Sequence, residues 1–302
     1  MWRRRSFSTL RELKEKKWDA VVIGAGHNGL TAAAYLARAG LSVAVVERRH
    51  IIGGAAVTEE LVPGYKFTRC SYLQSLLRPS VIRELELKRH GLKFLKPLAS
   101  SFTPCLDGRY LLLGTNDEQN HAEISKFSKR DADAYIRYEE QLNKYAKLMD
   151  FLLDSRTPEA FNGGLRDRLE RPMFWARCLR HILAMGQKDI VDFVDLLLSP
   201  TAKVLNKWFE SDIVKATLST DATVGTMASI YMPGSGYILL HHVMGETDGD
   251  RNVWSHVEGG MGSISLAISR AAKEAGVHIV TNAEVSGLII DDSGIVNGCR
   301  FL

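Results

Sequence analysis

Residues 19–47 read DAVVIGAGHNGLTAAAYLARAGLSVAVVE and decide the fold of the region around them. The β-branched run at 19–24 predicts a buried parallel strand. The run at 30–40, rich in Ala and Leu, predicts a helix that ends at Gly40. A second strand is predicted at 41–47, directly after the helix. This order predicts a βαβ unit of an α/β, Rossmann-like fold.

The turn between the first strand and the helix carries glycines with separate tasks. Gly24 permits the tight turn, Gly26 lets the backbone approach a pyrophosphate, and Gly29 lets the helix pack closely on the strand. The helix N-terminus offers unpaired N–H groups to phosphates. Glu47, at the end of the second strand, is placed to accept hydrogen bonds from ribose hydroxyls and disfavours a 2′-phosphate. The pattern predicts a dinucleotide site; a glycine-rich turn without a ligand is the alternative.

The next stretch favours FAD over NAD. The segment ERRHIIGGAAVTEE (47–60) resembles the E-x-R-x-x-x-G-G-R stretch of the amine oxidase and phytoene desaturase flavoprotein superfamily. Arg49 matches the arginine of that family, and Gly53 and Gly54 match a glycine pair whose backbone lies along the flavin dinucleotide there. Ala55 stands where the family has a further arginine. The resemblance implies that the cofactor is FAD.

Residues 257–302 resemble the second FAD segment of the same family. After a Gly-Gly entry, they predict a helix over roughly 263–275 with Gly276 as its stop. Strands are predicted near 277–281, 284–291 and 295–302. In the family, the strand position that matches Val285 lies against the adenine, and the resemblance implies this role for Val285.

The motifs GYKFTRCSYL and SLLRPS resemble a phytoene-desaturase-like, mitochondrial branch of the superfamily. Family members also have a Gly-Asp-containing strand–helix segment that closes over the flavin. This chain ends at Phe301-Leu302, inside a predicted strand. We therefore expect a chain truncated at its C-terminus, as a fragment or isoform, or one that holds FAD incompletely.

Residues 1–17 are basic and contain Ser and Thr, with no acidic residue before Glu12. This composition is typical of a mitochondrial targeting segment and predicts a matrix protein; a disordered basic tail is the alternative. The formal net charge of +4 is too small to predict a nucleic-acid partner. The cysteines are too widely spaced for a redox dithiol or a zinc site, so no metal is predicted: Cys70, Cys105, Cys178 and Cys299.

The middle of the chain predicts a different domain. We expect a mostly helical substrate or cap domain over 116–246, inserted into an FAD-binding domain formed by 18–115 and 247–302. Within it, residues 163–186 combine basic and apolar side chains. Such a helix more often packs on the core, and contact with a membrane surface is the alternative.

Residues 228–246 are the predicted substrate-proximal segment. The adjacent His241 and His242 point in different directions on a helix or strand, which makes them poor joint metal ligands. A structural role is favoured for both, and proton transfer is the alternative. No catalytic residue is predicted, because hydride transfer to a flavin requires no particular acid, base or nucleophile.

These patterns favour an FAD-dependent mitochondrial oxidoreductase that acts on a small-molecule substrate, with hydride removal by the flavin. A catalytically incomplete, FAD-binding regulatory protein of mitochondria is the alternative, with a membrane or a mitochondrial protein as its partner. An NAD-dependent dehydrogenase is a third interpretation, which the Gly53-Gly54 element argues against. The substrate, the electron acceptor and the oligomeric state are not predicted.

Overall fold

A computed structural model describes residues 10–158 and 164–302. The chain forms two compact units. The first contains residues up to 96 together with 254–302 and is called the βαβ unit below; the second contains 97–253 and is called the helical unit. Residues 1–9 of the predicted targeting segment lie outside the described residues, as do 159–163.

The secondary structure alternates at both ends of the chain and is mainly helical in the middle. The helices are α1 (Leu10–Lys14), α2 (His27–Arg38), α3 (Pro79–Glu84), α4 (Asp117–Ser125), α5 (Lys129–Asp154), α6 (Leu165–Met185), α7 (Gln187–Leu198), α8 (Thr201–Trp208), α9 (Asp212–Ser219), α10 (Ser235–Val243) and α11 (Gly262–Glu274). The strands are β1 (Ala20–Ile23), β2 (Val43–Val46), β3 (Thr58–Val62), β4 (Tyr65–Thr68), β5 (Phe94–Leu95), β6 (Ser101–Pro104), β7 (Tyr110–Leu113), β8 (Glu246–Thr247), β9 (Asp250–Arg251), β10 (His256–Val257), β11 (His278–Val280), β12 (Val285–Ile290) and β13 (Val296–Phe301). A 3₁₀ turn spans Thr220–Ala222.

A parallel sheet forms the centre of the βαβ unit, with β2 between β1 and β11. All four residues of β2 are buried, as expected for a central strand covered on both faces. Small residues on α2, such as Ala33 and Ala34, are fully buried in the same core as Ile264 and Ile268 of α11. The predicted Rossmann-like α/β fold is confirmed.

The C-terminal elements follow the predicted order. Helix α11 is followed by Gly276, whose φ of 97° lies in the left-handed region that favours glycine. The chain then enters β11, and β12 pairs with β13 in an antiparallel hairpin. Residue 285 opens β12, opposite Phe301.

Part of the predicted targeting segment packs on the sheet. Leu13 of α1 is only 5% exposed and lies in an apolar cluster with Ala44 and Val46 of β2. The indole Nε1–H of Trp18 donates to the Leu13 carbonyl at 2.9 Å. The Trp18 ring also contacts His278, with 4.8 Å between ring centroids. Residues 13–18 therefore belong to the fold of the βαβ unit.

The helical unit is built around α5. The buried face of α5 carries Tyr138, Leu142 and Tyr145, which share a core with Leu205 and Phe209. The helix begins after Ser128, whose hydroxyl accepts a hydrogen bond from the Asp131 N–H. The Asp131 carboxylate accepts the N–H groups of Glu210 and Ser211 and so ties the start of α5 to the segment after α8.

The two units divide the chain at other positions than the sequence suggested. Residues 97–115 and 247–253 lie in the helical unit, although the sequence assigned them to the FAD-binding domain. The reason is that Leu111 and Leu113 of β7 are buried in the core that α5 organises. Apolar alternation in the β6–β7 hairpin predicts strands but does not show which core they join.

Candidate dinucleotide-binding site

The loop between β1 and α2 is shaped by its glycines. Gly24 has φ 102° and donates its N–H to the Val46 carbonyl at 2.7 Å, which turns the chain at the edge of the sheet. A Cβ on Gly29 would lie 2.3 Å from the Gly24 oxygen. Position 29 therefore has no room for a side chain, and α2 starts close against the strand.

Gly26 differs from Gly29 because the space beside it is open. The nearest heavy atom to a Cβ built on Gly26 is the Cα of Gly54, 4.0 Å away. Gly26 is the N-cap of α2, and as a glycine it has no side chain with which to cap the first N–H groups of the helix. The first N–H groups of α2 are therefore available to an anionic group in that space.

An orphaned polar atom lies at the same loop. The Nδ1 of His27 is buried and has no hydrogen-bond partner among the residues that the structure describes. A buried polar atom without a partner costs free energy, and a bound polar ligand is one way to satisfy it. The open space at Gly26 and the unpaired His27 nitrogen both fit a dinucleotide bound at this loop.

Glu47 brings a carboxylate to the loop. The residue is 8% exposed; its Oε2 accepts the Ala25 N–H at 2.9 Å, and its Oε1 accepts the Arg49 N–H at 3.0 Å. Each carboxylate oxygen has a second lone pair with which it can accept a hydroxyl. The backbone is fixed as well, since the Ala283 N–H donates to the Glu47 carbonyl at 2.9 Å.

The glycine pair after β2 lies against the loop. Gly53 forms a parallel bridge with Gly26 and donates its N–H to the Ala25 carbonyl at 2.9 Å. Its φ is 127°, and a Cβ would lie 2.4 Å from the Ala56 oxygen, so only glycine fits. The structure thus gathers most of the predicted residues in one place: Gly24, Gly26, Gly29, Glu47, Gly53 and Gly54.

Arg49 contributes its backbone to this cluster, but its side chain points to β3. The guanidinium Nη2 lies 2.5 Å from Oε1 of Glu59, and Arg69 approaches the other oxygen of Glu59 at 3.1 Å. Hydrogen bonds from Arg49 and then Arg69 lower the pKa of Glu59. The observed role of the Arg49 side chain is therefore to hold β3, and direct contact with a nucleotide stays a prediction.

Val285 lies in a different environment from the glycines. It is partly buried against the apolar cluster of Leu13, Ala44 and Val46. It follows Ala283, the residue bonded to the Glu47 backbone, by two positions. Its contact with the adenine stays a prediction.

Sequence reasoning missed the residues that fasten the two nucleotide segments together. The Gly262 N–H at the start of α11 donates to Oγ1 of Thr58 at 2.9 Å. The Ser265 hydroxyl donates to the Ala56 carbonyl at 2.9 Å. The clustering of small residues in GGAAVT and GGMGSIS was the available signal, since close backbone contact needs small side chains.

The predicted substrate-proximal segment lies in the helical unit. His242 is buried on α10, and its Nδ1 lies 2.9 Å from the Ile238 carbonyl oxygen one turn earlier. Burial lowers the pKa of His241. Among the described residues, no group of three or more His, Cys, Asp or Glu side chains is arranged to hold a metal ion.

Known proteins match this chain along most of its length. A family model described as an NAD(P)-binding Rossmann-like domain matches residues 22–80. The pyridine nucleotide-disulfide oxidoreductase domain-containing protein 2 of Rattus norvegicus is 48% identical over 295 residues, which cover 93% of this chain and 50% of the relative. The chain is a homologue of that protein. It spans about half the length of the curated relatives it matches.

More distant matches agree on the fold. The phytoene desaturase of Neurospora crassa is 24% identical over 290 residues, 90% of this chain and 43% of that protein. The structure of putrescine oxidase bound to putrescine has a TM-score of 0.53 at 18% identity and covers 93% of this chain and 55% of that one. The Rab GDI of Plasmodium falciparum has a TM-score of 0.56 at 11% identity and covers 94% of this chain and 62% of that one. At these identities the likeness concerns the fold alone.

Proposed function

We propose that this chain supplies the FAD-binding part of a flavin-dependent oxidoreductase that removes a hydride from a small-molecule substrate. The observation that carries the proposal is the open space at Gly26, the N-cap of α2, in a loop whose next-door Ala25 N–H donates to the Glu47 carboxylate. The match to an oxidoreductase-named relative over 93% of the chain supports it. When bound, the flavin ring is the group that accepts the hydride.

Each residue of the cluster has a task in this proposal. The open backbone at Gly26 and the N-terminus of α2 take the pyrophosphate. Glu47 accepts the ribose hydroxyls with the lone pairs that Ala25 and Arg49 leave free. The backbone at Gly53 lies along the dinucleotide. The chain's own contribution is binding and orientation, and we assign no residue to catalysis.

We also propose a mitochondrial location for the protein. The support is the basic, hydroxyl-containing sequence of residues 1–17. Import of the chain fused to a fluorescent protein, compared with a fusion that lacks residues 1–9, tests this proposal. A diffuse signal from the complete fusion would refute it.

A second candidate is an FAD-binding regulatory protein without turnover. Ala55 stands where the flavoprotein family has an arginine, and one structure with the same fold is named as a Rab GDI rather than as an oxidoreductase. An NAD-binding function is the third candidate, because the matching family model is described as NAD(P)-binding. Substrate-dependent reduction of bound flavin distinguishes the oxidoreductase from the regulatory protein. The identity of the bound cofactor distinguishes both from an NAD-binding protein.

The test is the visible absorption spectrum of the purified chain and of its Gly26→Val variant. We expect a flavin spectrum from the wild-type chain and none from a folded Gly26→Val protein, because the branched side chain fills the pyrophosphate space. Gly287→Val is the matched control, since a Cβ at Gly287 has as much room as one at Gly26, with no atom within 4 Å, but lies in β12. Equal flavin content in all three proteins would refute the assignment of the loop.

A further inference from the structure

The outward side of α6 is apolar. Its stripe residues are spaced three or four apart, which places them on one face of a helix, and all are exposed: Leu165, Leu169, Pro172, Ala176, Leu179 and Leu183. Leu165 is 74% exposed and Leu183 is 70% exposed. Helices on the surface of globular proteins normally turn such a stripe toward the core. In α6 it faces away from the helical unit.

The opposite side of α6 makes the packing contacts that fix this orientation. Phe174 stacks on Phe151 of α5, with 5.8 Å between ring centroids. His181 stacks on the same ring at 4.8 Å, and Cys178 is buried between these turns. Because this face is already occupied, α6 cannot bury the leucine stripe by rotation without losing these contacts.

Basic residues flank the stripe. Arg168 and Arg180 are exposed and, at about 100° per residue, lie about 60° from the stripe centre on opposite sides. The sequence of α6 contains five arginines against Asp167 and Glu170, and Glu170 lies 3.7 Å from Arg156. The exposed surface of α6 thus joins apolar side chains to the positive charges of Arg168 and Arg180, with the indole ring of Trp175 beside them.

We propose that this face of α6 binds the surface of an anionic lipid bilayer. The leucines enter the boundary of the acyl chains, the arginines contact lipid phosphates, and Trp175 lies at the level of the headgroups. Within the described part of the chain, no helix is long and apolar enough to cross a membrane. Pro172, within the stripe, removes a backbone hydrogen bond of α6 and so disfavours a continuous coiled coil as its partner.

Vesicle binding tests the proposal directly. The purified chain is sedimented with vesicles of phosphatidylcholine alone or mixed with phosphatidylglycerol. We expect binding to the anionic vesicles, and a roughly tenfold or greater loss in the folded double variant Leu179→Glu, Leu183→Glu. The pair Arg168→Gln, Arg180→Gln should lose a similar factor on anionic vesicles and little on neutral ones. Leu106→Glu is the control, because Leu106 is a fully exposed leucine on the β6–β7 turn.

Trp175 provides a second readout that does not depend on sedimentation. Its emission should shift to shorter wavelength on binding and be quenched by brominated lipid, and Trp175→Phe should remove that signal while the chain still sediments. Equal sedimentation of the wild-type and Leu179→Glu, Leu183→Glu proteins would overturn the proposal. So would a wild-type dimer that these variants convert to a monomer without any vesicle binding, which would assign the face to a second copy of the chain.

Discussion

Two buried carboxylates, one in each unit, accept hydrogen bonds from backbone N–H groups. Asp131 of the helical unit is 0% exposed, and its oxygens receive the N–H groups of Glu210 and Ser211. Glu47 of the βαβ unit is nearly as buried and receives Ala25 and Arg49. The difference lies in their surroundings, since Glu47 borders the glycine loop with its open space while Asp131 is enclosed by protein. A buried acidic side chain therefore indicates a ligand site only when its carboxylate can accept further hydrogen bonds and when open space lies beside it.

Removal of the enclosed carboxylate should have the largest effect. We expect Asp131→Ala to lower the free energy of unfolding by about 3 kcal/mol, because it leaves the partly buried N–H groups of Glu210 and Ser211 without their acceptor. Asp133→Ala, on the exposed side of α5, is the matched control and should change stability by less than about 0.5 kcal/mol. Denaturant titration measures both. Equal losses in the two variants would show that the Asp131 contacts do not stabilise the unit.

The two glycines of the loop should separate stability from binding. Gly29→Ala places a Cβ 2.3 Å from the Gly24 oxygen and should cost about 2 kcal/mol of stability through overpacking. Gly26→Ala meets no such contact, so its unfolding midpoint should stay close to that of the wild type while its FAD affinity falls. Denaturant titration and flavin binding, measured on both variants, give the comparison. A stable Gly29→Ala protein would show that helix and strand tolerate more separation than the structure indicates.

Glu47→Gln tests the ribose assignment. The amide keeps the shape of the side chain but loses the charge and one acceptor, so we expect FAD to bind more weakly by about 1–2 kcal/mol. Isothermal titration of the apoprotein measures this loss. Asp131→Asn should leave FAD affinity unchanged, because its carboxylate only holds backbone. Unchanged affinity in Glu47→Gln would refute the ribose role.

The smallest expected effect is a pH dependence in the helical unit. Burial raises the pKa of Glu139 from 4.5 to about 6, and burial also raises the pKa of Asp221. The folded state therefore holds the Glu139 proton more tightly than the unfolded chain does. The stabilisation is complete below about pH 4.5 and is lost as the pH rises through about 6, a change of about 1 kcal/mol after allowance for solvent screening.

Unfolding midpoints at pH 5 and pH 7.5 measure this dependence. Glu139→Gln should reduce the difference between the two pH values, whereas Glu140→Gln, an exposed neighbour on α5, should leave it unchanged. The same pH response in the wild type and in Glu139→Gln would contradict the assignment to this side chain.

The sequence predicted the elements whose causes are local. The β-branched runs, the glycines and the Ala-rich helix of residues 19–47 specify the βαβ unit by their own periodicity and turn chemistry. Glu47 reaches the loop because it directly follows β2. Contacts between segments that are distant in the sequence could not be predicted from it. The hydrogen bond of Gly262 to Thr58 joins residues 204 positions apart, and nothing in either segment specifies the other as its partner.

Periodicity also has a limit in α6. The sequence shows that residues 163–186 are amphipathic, but it contains two apolar faces, one aromatic and one rich in leucine. Only the packing of Phe174 and His181 on Phe151 shows that the aromatic face is the inner one. The same reasoning applies to Arg49, which matches a family motif while its side chain binds Glu59.

The packing of Leu13 and Trp18 restricts how the polypeptide can mature. A processing peptidase that cut after Trp18 would uncover the apolar side chains of Ala44 and Val46 on the central strand. Such a product would expose an apolar patch on the central sheet, with the aggregation risk that exposed apolar surface brings. If the precursor is trimmed on import, the scissile bond compatible with this fold lies upstream of Leu13, and N-terminal sequencing of the mature protein would locate it.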